Sequence, residues 1–186
     1  MHGLILTELK RFAGAQLGHA AWQGLLQEAG LEKRLYVSSG KYPDAEVMAI
    51  VEGLAQRTGK DPQDLLVEFG RFIAPTLMSA FKPFIKPQWK TLEMIEHTEE
   101  NIHRAARIHD PSAMPPRLQV RRVNDQQIVI LYESKRKLCS VAKGIAQGVA
   151  EHYGERVEIS DLTCMLRGKP SCTIAVTLIN PALPGS

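Results

Sequence analysis

Apolar residues recur at helical spacing through the first half of the chain and alternate with polar ones through much of the second. In "LILTELKRFAGAQLG", Leu6, Leu9, Phe12 and Ala13 share one face, and Gly18 marks a stop. "AAWQGLLQEAG" puts Trp22, Leu25 and Leu26 on one side and stops at Gly30. "YPDAEVMAIVEGLAQRTGK" enters through Pro-Asp, carries Val47, Ile50, Val51 and Leu54, and stops at Gly59. "DPQDLLVEFGRFIAPTLMSAF" has Asp61 as N-cap and Pro62 at the first helical position, while Pro75 inside the pattern predicts a kink or break. "FKPFIKPQW", with its two prolines, reads as a loop. A further helix is predicted from about Thr91 to His109, ending in "HDPSAMPP".

The period then changes. "RLQVRRV" and "QQIVILYES" are short β-rich runs separated by Asn124-Asp125, a hairpin signal. "LCSVAKGIAQGVAEHYG" is a helix with small residues on its packing face, and "RVEISDLTCML" and "SCTIAVTLI" are two more strands joined by "RGKP". A helical N-terminal part followed by α-β-β-α-β-β makes an α+β fold with a small antiparallel sheet.

Composition narrows the function classes. The 186 residues suffice for one domain, or for two small subdomains sharing a core. With 44% hydrophobic and 23% charged residues the chain is globular rather than disordered. A net charge of +3, with no basic block longer than Lys135-Arg136-Lys137, speaks against a nucleic-acid partner. No stretch approaches the roughly 20 apolar residues of a membrane span, and "MHGLILTELKRF" lacks the parts of a signal peptide. A cytoplasmic protein is expected. Three cysteines in a reducing compartment point to thiols or metal ligands over a disulfide framework. The closing "PALPGS", residues 181–186, reads as a flexible tail.

Three groups of residues could carry chemistry. His97, His103 and His109 lie on the helix before the hairpin, where a histidine is more often a surface or core residue than a ligand. His109 falls near the middle of the Ile95/Ile102/Ala106 stripe, His103 at its edge and His97 away from it, so spacing does not choose among them. Cys164 and Cys172 would be hairpin neighbours, Cys139 begins the helix before them, and Asp161 stands three residues ahead of Cys164. Three thiolates and one N or O donor make a closed zinc site; three small buried residues are the plain alternative. Tyr132, Ser134 and Arg136, spaced by two, would point the same way from an extended chain. Two hydroxyls and a guanidinium suit a carboxylate, although an edge strand showing polar residues to water has the same spacing.

Taken together these residues resemble the heme-nitric oxide/oxygen binding (H-NOX) family, which is related to the sensor part of soluble guanylate cyclase. The likeness rests on the "MHGLI" start, on "RTGKDPQDLLVEFGRF", on a histidine twelve residues before "PPRL", and on Tyr-x-Ser-x-Arg at Tyr132, Ser134 and Arg136. It implies one H-NOX domain over 1–180, with a helical distal part at about 1–62 packed on a heme-bearing proximal part at about 63–180 that holds a four-stranded sheet. It further implies heme b as cofactor, with His103 as proximal iron ligand, Tyr132, Ser134 and Arg136 on the propionates, and Pro116 bending the porphyrin. By position, Ile5, Leu9, Ile73, Leu77, Val141 and Ile145 line the distal side, Val141 standing where oxygen-binding members carry a tyrosine. None of these six donates a hydrogen bond, which favours NO and CO over O2. Cys139, Cys164 and Cys172 match a bacterial subset that carries zinc. There the fourth ligand is a histidine, where this chain has Asp161; His152 or water are the other completions.

The expected role is a gas sensor without catalysis of its own, since no nucleophile-base pair or phosphate loop is present. The resemblance implies that NO at ferrous heme weakens or breaks the His103–iron bond, that the heme relaxes against Pro116, and that the helical part then rotates. It also implies signalling in trans to a histidine kinase or a cyclic-di-GMP enzyme. The rival reading is a heme-independent zinc/cysteine redox sensor on the same fold. A heme peroxidase is disfavoured, because the distal positions hold no His or Arg acid-base pair.

Overall fold

Residues 1–111 and 113–179 are described by a computed structural model; the tail at 181–186 lies outside the described residues. The chain opens with four helices, α1 (Gly3–Leu17), α2 (Ala21–Glu28), α3 (Asp44–Thr58) and α4 (Pro62–Ala80). Their ends follow local chemistry. His2 accepts from the Leu4 N–H at the start of α1, and the Asp61 carboxylate accepts the Gln63 N–H at 2.7 Å before Pro62. Gly59, at φ 70°, closes α3 in the left-handed conformation. Leu6, Leu9, Phe12, Leu25, Ile50, Leu54, Leu66, Phe69 and Ile73 from all four helices form one buried apolar cluster.

α4 runs unbroken through Pro75, so of the expected kink or break the break does not occur. Proline supplies no N–H to the Arg71 carbonyl one turn earlier. That carbonyl faces another helix instead, α7 (Cys139–His152): a Cβ added to Gly148 would lie 2.7 Å from the Arg71 oxygen and 2.5 Å from the Ala74 Cβ. The approach is as tight along the rest of the contact. A Cβ on Gly144 would sit 1.9 Å from the Val67 oxygen, and one on Gly70 would sit 2.2 Å from the Val141 oxygen. Glycine is therefore required at these positions by backbone-to-backbone contact.

After α4 comes a loop with one 3₁₀ turn at Lys82–Phe84. The single helix predicted for 91–109 is three pieces: α5 (Thr91–Glu96), a π turn (Thr98–His103) and α6 (Arg104–His109). The sheet follows as β1 (Arg117–Asn124), β2 (Gln127–Glu133), β3 (Val157–Thr163) and β4 (Cys172–Leu178), antiparallel throughout in the order β1-β2-β4-β3. The β1–β2 hairpin turns at Asp125-Gln126, with the Asn124 side chain accepting the Gln126 N–H at 2.9 Å. A second apolar cluster joins Leu92 of α5 and Ala146 of α7 to Ile128, Ile130, Ile174 and Val176 of the sheet. Val141 and Ile145 of the same α7 pack on the first cluster, so this helix is the seam between the two. Among the described residues no helix is long and apolar enough to cross a membrane.

Gly144→Ala adds a methyl where only backbone fits, so α4 and α7 must part. We expect a loss of about 1–3 kcal/mol in urea unfolding, despite alanine's better helix propensity. An unchanged midpoint would contradict the contact.

Candidate functional site

His103 closes the π turn, and its side chain is only 15% exposed. A π turn takes more residues per revolution than an α turn, so a wheel drawn at α pitch misplaces the residue at its end. His103 is thus an inward residue and not one at the edge of a stripe. Its Nδ1 lies 2.9 Å from Glu99 Oε2, and that carboxylate also takes the Leu118 N–H at 3.1 Å and the Arg107 guanidinium. Burial works to raise Glu99, but the His103, Arg107 and Leu118 donors outweigh it and hold its carboxyl below the usual carboxylate range. Burial dominates at His103 and pulls it below the ordinary histidine value, against the pull of Glu99. The imidazole is then neutral. An ionised carboxylate only accepts hydrogen bonds, so the proton sits on Nδ1 and Nε2 keeps its lone pair. This is the metal-ligating form of histidine. The Pro116 carbonyl accepts a hydrogen bond from the same ring and works, like Glu99, to raise it.

The other two histidines are placed differently. His97 stacks on Trp89 at 4.7 Å between centroids, and His109 is exposed at the end of α6.

Tyr132, Ser134 and Arg136 are brought together by a turn and not by strand alternation. β2 stops at Glu133; Lys137 N–H then bonds Ser134 O at 3.2 Å, with Lys137 at φ 53°. Tyr132 is 2% exposed, and burial pushes its phenol up to about 12, with Ser134 as its hydrogen-bond neighbour. The Ser134 hydroxyl accepts the Arg136 N–H at 3.2 Å. Arg136 reaches across the molecule: its Nε donates to Asp44 Oδ2 at 2.8 Å and its Nη1 to the Met114 carbonyl. Asp44 also faces the N-terminal amine at 2.7 Å. Of the distal candidates, Leu9 and Ile73 are wholly buried, while Ile5, Leu77, Val141 and Ile145 pack against the same apolar cluster.

These donors fit a heme. A neutral imidazole with an available lone pair suits iron, two hydroxyls and a guanidinium suit propionates, and the neighbouring cluster is apolar.

The thiols meet as well. Cys139 and Cys172 each place Sγ 3.9 Å from Cys164 Sγ, and all three are buried. A tetrahedron with zinc–sulfur bonds of about 2.3 Å has edges of about 3.8 Å, so the spacing suits a metal. Burial drives Cys139 up to about 12. Burial opposes ionisation of Cys164 too, but the Leu166 N–H and the neighbouring thiols prevail and hold it below the ordinary thiol value. Asp161 does not join them: among the described residues the compact ligand group is the three cysteines alone. Lys143 holds Asp161 Oδ2 at 2.9 Å, and Oδ1 is buried without a hydrogen-bond partner. His152 packs edge-on against Tyr153.

Sequence reasoning overlooked Glu99, Asp44, Arg107 and Lys143. The Glu99/His103/Arg107 series at steps of four was legible. The partnership of Asp44 with Arg136, 92 residues apart, was not.

A family model described as haem-NO-binding matches residues 2–161. An H-NOX protein from S. oneidensis in the Fe(II)NO state is similar at 29% identity and TM-score 0.90, covering 97% of this chain and 100% of that one. The NMR structure of the Shewanella oneidensis H-NOX domain in the Fe(II)CO state is similar at 30% identity and TM-score 0.85, with the same coverage. An unliganded Fe(II) H-NOX protein from K. algicida shares the fold, with TM-score 0.87 at 19% identity over 98% of this chain and 99% of that one. No curated protein matches the chain.

Proposed function

The chain belongs to the haem-NO-binding family, and from that premise we propose that it is a cytoplasmic sensor which holds heme b on His103 and reports NO to a separate protein. One observation carries this reading: a mostly buried imidazole whose Nδ1 lies 2.9 Å from the Glu99 carboxylate, an arrangement that leaves Nε2 for iron. Heme held there by His103 would supply a ferrous iron able to bind a diatomic gas.

The residues divide the work. Tyr132, Ser134 and Arg136 hold the propionates, and Arg136 does so while tied to Asp44 of the helical part. Pro116, against the His103 ring, bears on the porphyrin. Ile5, Leu9, Ile73, Leu77, Val141 and Ile145 exclude water and offer no hydrogen-bond donor to bound O2. The domain spans 1–180, with its helical part at about 1–62, and a shift at His103 reaches that part through the Met114–Arg136–Asp44 links. The resemblance makes a histidine kinase or a cyclic-di-GMP enzyme the partner, with no catalysis by this chain. The Cys139, Cys164 and Cys172 cluster holds zinc, the support being the Cys139 and Cys172 sulfurs each 3.9 Å from that of Cys164, with Asp161 the fourth ligand once it leaves Lys143. The same cluster favours redox sensing as the second reading.

With heme-loaded, anaerobically reduced protein, NO and CO should each shift the Soret band, while air should give only oxidised heme. A persistent oxygenated spectrum in air would sink the reading of the distal side. Metal analysis should find zinc stoichiometric with the chain and absent from Cys164→Ala; zinc-free protein with three titratable thiols would refute the zinc site.

A further inference from the structure

Glu99 is the junction of three separate elements. Its Oε2 accepts from His103 Nδ1 at 2.9 Å and from the Leu118 N–H at 3.1 Å, and its Oε1 from Arg107. The carboxylate lies in the π turn, Arg107 in α6, and Leu118 at the start of β1, two residues beyond Pro116. An ordinary surface ion pair between Glu99 and Arg107 would add little and would need neither the imidazole nor the strand. Here the Glu99 side chain is 25% exposed, and its oxygens are shared between a charged partner, a backbone donor and a mostly buried ring.

We propose that Glu99 is the positioning residue of the proximal ligand: it fixes His103 as the Nδ1–H tautomer, aims Nε2 at the iron, strengthens that nitrogen as a donor, and ties the ring to β1. This rests on the reading of His103 as the iron ligand. A carboxylate accepting the far N–H of a metal-bound imidazole raises the ligand's basicity and locks the ring's orientation. Arg107 competes with the imidazole for the same negative charge and so moderates the effect. Because Leu118 holds the other side of Oε2, displacement of the ring pulls on the strand adjoining Pro116.

The iron–histidine stretching band, read by resonance Raman on the heme-loaded ferrous protein, separates this role from a structural one. Glu99→Gln should lower the band frequency and cost roughly 10–100-fold in heme retention, the usual range for outer-shell partners of a metal-bound histidine. Arg107→Gln should shift the band upward, since the carboxylate then serves His103 with less competition. A structural ion pair would move both variants in the same direction, or neither. Wild-type protein with a clear iron–histidine band that neither variant shifts would overturn the proposal while leaving the heme reading intact. Wild-type protein that shows no such band would overturn both. Should Glu99→Gln fail to fold, the Arg107→Gln shift decides: an upward move supports the proposal, and an unmoved or lowered band defeats it.

Discussion

Val67 and Arg71 of α4 present backbone where Gly144 and Gly148 of α7 would carry side chains, and this contact governs the rest of the molecule. α7 cannot shift without parting from α4, because close-packed backbone has no slack to give. Its first residue, Cys139, follows directly on the turn that carries Ser134 and Arg136, so the helix fixes where that turn lies. The same helix presents Val141 and Ile145 to the cluster that holds Ile73, and its start brings Cys139 to Cys164 and Cys172. One helix pair thus sets the apolar wall, the polar clamp and the thiol cluster together.

Polar links on the far side are of a different kind. Arg136 joins Asp44 of α3 to the Met114 carbonyl, and Lys41 pairs with Asp110 at 2.9 Å. These contacts are partly exposed, so each is weak alone and can be exchanged at small cost. A close-packed backbone seam thus lies beside polar links that are individually weak. His103 closes a π turn beside these links, where the helical ladder changes pitch.

Much of this was legible in the sequence, and the exceptions have physical causes. The helices were readable because Gly18, Asp61, Pro62 and Gly59 mark their ends by local chemistry. The cysteine cluster was readable because β3 and β4 pair Thr163 with Thr173, which brings the flanking Cys164 and Cys172 side by side. Pro75 does not break α4, and the Arg71 carbonyl it leaves without an N–H lies against α7, a tertiary arrangement that no local rule contains. His103 looked peripheral because the wheel assumed one pitch throughout. Tyr132, Ser134 and Arg136 suggested an alternating strand, yet β2 ends at Glu133 and the Ser134 hydroxyl, accepting the Arg136 N–H, folds the chain back and keeps the three together. Asp44 could not be foreseen, since nothing near it in the chain refers to Arg136.

The most direct measurement is the absorption spectrum of the heme-loaded, anaerobically reduced protein beside His103→Gly, with and without added imidazole. If His103 Nε2 holds the iron, the wild type is five-coordinate, the variant loses heme or changes its coordination, and imidazole restores the wild-type spectrum. Identical spectra for the two proteins, unmoved by imidazole, would place the iron on another residue and contradict the assignment.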